Sequence, residues 1–159
     1  MNPTRILLLL LISMLLAPPI SAAGRDLLPP AADLRLLGGT AENRGIPILL
    51  MVSQSRCSYC ERMKDEVLNP MLLGGDYDRR VLMRELSVDT SETIINFAGR
   101  HVAAGEFRDR YEVHVTPTLL FLDGNGDEVA QRILGINTVD YLLFYIENAI
   151  ETATRAMAR

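Results

Sequence analysis

Ser55-Arg56-Cys57-Ser58-Tyr59-Cys60-Glu61 holds the only two cysteines of a 159-residue chain, three positions apart. The near-continuous apolar run Ile46-Pro47-Ile48-Leu49-Leu50-Met51-Val52 precedes it, and a helical pattern starts at Cys57, so the pair sits at a predicted strand-to-helix junction. Two cysteines at this spacing have three uses: half of a metal ligand set, an inert staple, or a couple that cycles between dithiol and disulfide. A structural zinc site commonly takes four Cys or His ligands, and the chain adds only His101 and His114. A staple closing so short a loop removes little entropy from the unfolded chain, because that gain grows with loop length. Cycling is the use that fits the spacing.

The N-terminal residues bear on the compartment. Arg5 supplies a positive start, Ile6 to Leu16 an apolar core, and Ser21-Ala22-Ala23 the small residues of a cleavage site, the layout of an export signal over residues 1–23. The apolar run is shorter than the roughly 20 residues that span a bilayer, and Pro18-Pro19 follows it. No cysteine stands at the cleavage site to carry a lipid. The expectation is a soluble exported protein, periplasmic or otherwise outside the cytoplasm, with no stable membrane insertion after cleavage. Residues 24–159 then form one domain, long enough for a sizeable core. The net charge is −4, with both signs interspersed and no basic stripe, so nucleic acid is not the implied partner. Disulfides persist outside the cytoplasm, yet the chain keeps a single close pair, which argues against a purely stabilising role.

Leu27 to Pro30 reads as a Pro-rich linker, and Ala31 to Arg44 as a helix that Gly38-Gly39 weakens or splits. After the buried strand and the CxxC helix, whose apolar face carries Cys60, Met63 and Val67 with Glu61, Lys64 and Asp65 turned elsewhere, Asn69-Pro70 predicts a stop or a kink. Arg80 to Val88 alternates as a second strand, with Val81, Met83 and Glu85 on one side and Leu82, Leu86 and Val88 on the other. Thr93 to Phe97 reads as a short strand and Ala98-Gly99-Arg100-His101 as a hairpin bend, together a small insertion. Ala104 to Tyr111 is a short helix, and Thr116-Pro117-Thr118 leads into the strand Leu119 to Leu122. Asp123-Gly124-Asn125-Gly126 turns the chain back along Glu128 to Leu134. Asn137 or Thr138 caps a last helix whose Val139, Leu142, Leu143, Ile146, Ile150 and Ala153 form an apolar stripe. Tyr141, Phe144 and Tyr145 widen that stripe toward a partner.

This order resembles the thioredoxin fold over nearly the whole of residues 24–159. Two motifs carry the resemblance: Cys57-Ser58-Tyr59-Cys60 after a buried strand, and Thr116-Pro117 before a later one. The resemblance implies an α/β, three-layer sandwich: a central mixed sheet flanked by helices, with the small insertion between the second strand and the helix before the Thr-Pro strand. It also implies a cis bond before Pro117, where the alternative is an ordinary trans proline at a strand start. The tail from Tyr111 through Thr116-Pro117-Thr118-Leu119-Leu120-Phe121 to Asp127-Glu128-Val129 and Gly135 is similar to exported bacterial thioredoxin-like proteins of the SoxW type.

A thiol at a helix N-terminus meets unpaired N–H groups and the positive end of the dipole, which favours its thiolate. Arg56 acts in the same direction and Glu61, one turn along, against it. Cys57 is therefore the expected attacking sulfur, and Cys60, beside Met63 and Val67, the resolving one; the redox disulfide is Cys57-Cys60. The resemblance makes Thr116, Pro117, Ser58 and Tyr59 the substrate-binding positions, with the Thr116 backbone open to an extended protein segment. Cytoplasmic thioredoxins carry Trp before the first cysteine, Gly-Pro between the two and a buried acid six residues upstream; here stand Arg56, Ser58-Tyr59 and Met51. Tyr59 and Thr116 resemble periplasmic isomerases and reductants more than the strong oxidant with Pro-His between its cysteines. The expectation is a monomeric reductant of protein disulfides, served by an upstream redox partner, with no cofactor and no metal. The second reading is a copper chaperone of the same fold, using the pair and His114, although such chaperones resemble CxxxC at this place.

Overall fold

The computed structural model describes residues 27–136 and 138–159, so the export signal and the Asn137 cap lie outside the described residues. Among the described residues, six strands and five helices follow in order: α1 (Leu34–Arg44), β1 (Ile48–Ser53), α2 (Ser58–Met63), a π-helical turn (Lys64–Leu68), α3 (Asn69–Gly74), β2 (Leu82–Ser87), β3 (Thr93–Ile95), β4 (His101–Ala103), α4 (Ala104–Arg110), β5 (Thr118–Leu122), β6 (Glu128–Leu134) and α5 (Val139–Met157). The main sheet runs β2-β1-β5-β6. β1 pairs parallel with β2 and antiparallel with β5, which pairs antiparallel with β6. The sheet is mixed, as the resemblance implied.

β1 is interior and buried along its whole length, which is why its sequence is an unbroken apolar run. The period of two sends its residues to two cores. Leu49 and Met51 join Met83, Leu119 and Phe121 beneath α2, the π turn, α3 and α5, with Met63, Leu68, Ile146 and Ile150 completing that layer. Ile48, Leu50 and Val52 join Leu82, Leu86, Leu120 and Leu122 beneath α1 and α4. Helices on both faces of one sheet make the three layers. Of the predicted stripe on α5, Leu142, Ile146, Ile150 and Ala153 are buried, while Leu143 joins Tyr141, Phe144 and Tyr145 on the exposed side. No helix among the described residues is long and apolar enough to cross a membrane.

Several local readings are corrected. The Pro-rich stretch is no linker: the Pro29 carbonyl accepts from Glu85 N–H and Ala31 N–H donates to the Glu85 carbonyl, at 2.9 and 2.7 Å, which lays residues 29–31 along the free edge of β2. A proline has no N–H to offer to a ladder, so it belongs on an edge. α1 is continuous through Gly38-Gly39, because Asp33 accepts from Leu36 N–H as its N-cap and Gly38 packs closely on the β5–β6 turn. Asn69-Pro70 does not end the CxxC helix; Pro70 falls in the first turn of α3, where a missing N–H costs nothing, and the π turn before it supplies the extra residue. His101 lies on β4, paired with Ile95, and not in the bend. The insertion itself is the β3–β4 hairpin, docked by an Ile95 N–H bond to the Ala32 carbonyl at 2.9 Å.

Candidate active site

Val52 pairs with Thr118 at the last position of the β1–β5 ladder. Antiparallel pairing therefore delivers the chain leaving β1 and the chain entering β5 to the same end of the sheet. Cys57 and Thr116-Pro117 meet there. Cys57 is the N-cap of α2 with an extended backbone, and its Sγ accepts the Cys60 N–H at 3.2 Å. Cys57 and Cys60 form a disulfide with Cα atoms 5.2 Å apart. Cys57 is 9% exposed and Cys60 1%, so the first sulfur is the one nearer solvent. The Thr116–Pro117 peptide is cis, and the Thr116 hydroxyl donates to Cys57 Sγ at 3.7 Å. The Thr118 hydroxyl ties back to the Val115 carbonyl at 2.7 Å and the Pro117 carbonyl accepts from Gly135 N–H at 2.8 Å, which fixes the bend around the proline. Ser58 and Tyr59 are exposed beside the disulfide, Tyr59 by 59%.

The approach to Cys57 is held by a residue that no local sequence signal singles out. Asp89, at the turn after β2, accepts from Ser55 N–H at 2.7 Å and from Ser87 Oγ at 3.1 Å, and also pairs with the Ser55 hydroxyl. The Ser55 hydroxyl and amide hold the Asp89 carboxyl below the ordinary carboxylate range. Arg56, between that anchor and Cys57, sits in the left-handed region at φ 56°, a conformation a non-glycine residue keeps only when its surroundings fix it.

Lys64 is not turned away from the core. It lies four residues after Cys60 on the same helical face, buried, with its Nζ 3.1 Å from Glu85 Oε2 and 3.1 Å from Glu61 Oε1. Glu85 stands in register with Met51 on the neighbouring strand, so a carboxylate does reach this layer, from β2 instead of β1. The i+4 spacing from Cys60 was the signal available for Lys64. His114 and His101 are exposed, and among the described residues no group of three or more His, Cys, Asp or Glu is placed to hold a metal ion.

Residues 39–150 match the family described as Thioredoxin-like domain. The chain belongs to this family. With the Cys57–Cys60 disulfide in that fold, it is a thiol–disulfide oxidoreductase. Among solved structures it is similar to the DsbH oxidoreductase, at 19% identity over 85% of this chain and 90% of that one with a TM-score of 0.59. It is also similar to the thioredoxin NaTrxh from Nicotiana alata, at 20% identity over 76% and 94% of the two chains with a TM-score of 0.53. Trxlp from Edwardsiella tarda is 22% identical over 74% and 96%, with a TM-score of 0.52. At these identities the likeness speaks for the fold alone. No curated protein sequence matches the chain.

Proposed function

We propose that this thioredoxin-like protein is an exported reductant of protein disulfides, of the kind resembling SoxW-type proteins. The observation that carries the reading is the meeting of Cys57, as N-cap of α2, with Thr116-Pro117 at one sheet end. In the reduced protein the Cys57 thiolate attacks one sulfur of a client disulfide. A Cys57–client bond forms, the client bond breaks, and the departing client sulfur takes a proton from water. Cys60 then loses its proton and attacks Cys57 Sγ, the Cys57–Cys60 bond forms, and the second client sulfur leaves as thiolate. Two electrons pass from the cysteine pair to the client, and a separate redox partner of more negative potential restores the dithiol.

The helix N-terminus stabilises negative charge at Cys57, and a donor on its Sγ from Thr116 acts in the same sense. The Thr116 backbone, with the exposed Ser58 and Tyr59 between the cysteines, is the surface for an extended client segment, which favours recognition of backbone over sequence. Ser58-Tyr59 between the cysteines, in place of Pro-His, supports the reducing direction. The pattern of residues 1–23 supports export, with removal near Ala23. A Cys60→Ser variant is expected to accumulate mixed disulfides through Cys57, seen as non-reducing gel shifts that mass spectrometry maps to Cys57. Equal trapping by Cys57→Ser would reverse the roles of the two sulfurs.

A further inference from the structure

β1 and β5 pair from Val52–Thr118 at the cysteine end of the sheet to Ile48–Leu122 at the other, four strand steps or roughly 13 Å away. At that far end the bend of the β3–β4 hairpin, α4 and the β5–β6 turn surround a cavity of about 480 Å³, a volume in the range that takes small molecules. Aromatic side chains build its walls. Phe107 and Tyr111, one helical turn apart, stack with ring centroids at 4.1 Å, and the Tyr111 hydroxyl donates to the Gly126 carbonyl at 2.7 Å. Phe97, in the hairpin bend, packs so closely on Gly126 that a Cβ there would clash with its ring. The bend is held by Asn96, whose Oδ1 accepts from Arg100 N–H at 2.9 Å and whose carbonyl accepts from Gly99 N–H at 2.8 Å. Arg100 closes the bend and Arg110 closes α4, and both reach the lining. Asp109, beside Arg110, is taken by Arg108, and neither lining arginine has a carboxylate partner among the described residues. Glu106, the one carboxylate among the described lining residues, accepts from Ala103 N–H at 3.3 Å. Burial pushes the Tyr111 phenol up, and the Arg110 guanidinium beside it opposes that rise, so charge and ring share one wall.

We propose that this cavity, walled by Phe97, Phe107 and Tyr111 and bordered by Arg100 and Arg110, is a binding site for a small organic anion, a planar ring that carries a carboxylate or phosphate group. The guanidinium groups supply forked N–H donors that match either head group, and the aromatic walls offer faces and edges to the ring. A bare inorganic anion would leave those walls facing water, and a neutral ring would leave both arginines without a partner. The chemistry asks for both features in one molecule. Glu106 repels a negative group from its own side of the cavity. Binding makes and breaks no covalent bond. It also leaves Cys57 open, because the hairpin bend and the exchange site lie at opposite ends of the sheet.

The test follows the backbone amide signals of the full oxidised chain by NMR during titration with phenyl phosphate and with benzoate, and with inorganic phosphate, acetate and phenol as the separate halves. At least one of the two ring-bearing anions is expected to shift the amides of residues 96–100 and 124–126 to saturation, with a Kd of about millimolar order for a ligand this small. The amides of Cys57, Cys60 and Thr116 should stay in place. Each separate half should bind at least about tenfold more weakly. Arg100→Met and Arg110→Met are each expected to raise the Kd about tenfold, the worth of one charge-assisted contact, and the Lys variants should fall between, keeping the charge without the fork. Both arginines are exposed, so the substitutions leave the fold intact, which the unshifted signals of the sheet will report. Disulfide reduction at saturating probe should match that without it. Absence of saturable shifts with both anions, a separate half that binds as tightly as the whole, undiminished binding by the double Arg variant, or shifts centred on Cys57 would each overturn the proposal.

Discussion

At the scale of single residues, the cysteines were legible because their spacing and the strand before them are local facts. Asp89, Glu85 and the burial of Lys64 were not, because each depends on which strand lies beside which. Nothing in Asp89-Thr90-Ser91 beyond a turn signal says that its carboxylate reaches across to Ser55. That anchor has a pH signature. The Asp89 carboxyl lies below its ordinary value of 3.8, chiefly through the Ser55 hydroxyl and then its amide. A depressed folded value means that the unfolded chain binds the proton more readily, so the contribution is complete above the ordinary carboxylate range and disappears as pH falls through the lower folded value. The Ser55 amide proton should therefore hold its position in an NMR titration down to that range and move only below it. In Asp89→Ala the same amide should exchange faster with solvent at neutral pH; equal protection would mean that the loop before Cys57 is held by something else.

At the scale of elements, the period of the apolar pattern located the helices and strands well and their interruptions poorly. The π turn at Lys64–Leu68 lets the CxxC helix continue through Asn69-Pro70, and no local rule predicts that an extra residue will be absorbed just before a proline. The paired glycines of α1 read as a weakness in the sequence, yet only one is required by packing. A Cβ on Gly38 would lie 2.2 Å from the Gly124 carbonyl oxygen, while one on Gly39 would meet nothing within 4 Å. Both sit inside a helix, where alanine is favoured over glycine by about 1 kcal/mol. Gly39→Ala should thus raise the urea midpoint. Gly38→Ala should lower it, since forcing backbone apart in a packed core costs about 1–3 kcal/mol. If both variants stabilised the protein, the contact between α1 and the β5–β6 turn would be looser than described.

At the scale of the whole molecule, the order of elements was enough to read a layered α/β fold, because a buried parallel strand needs cover on both faces. The Pro29–Ala31 edge and the docking of the β3–β4 hairpin were not readable, since both are made by backbone pairing between distant segments. The same architecture brings Cys57 and Thr116 together and seats the Lys64–Glu85 pair under the helix that carries both cysteines. Its central consequence is a cysteine couple that exchanges two electrons with a partner thiol or disulfide, in the reducing direction under the function proposed above. The most direct measurement is the equilibrium of the Cys57–Cys60 pair across a glutathione series. A reductant gives a two-electron transition with a potential near or below about −230 mV, on the reducing side of glutaredoxins and toward thioredoxin. A value near the roughly −120 mV of a strong oxidant, or a pair that does not equilibrate with glutathione, would contradict that function.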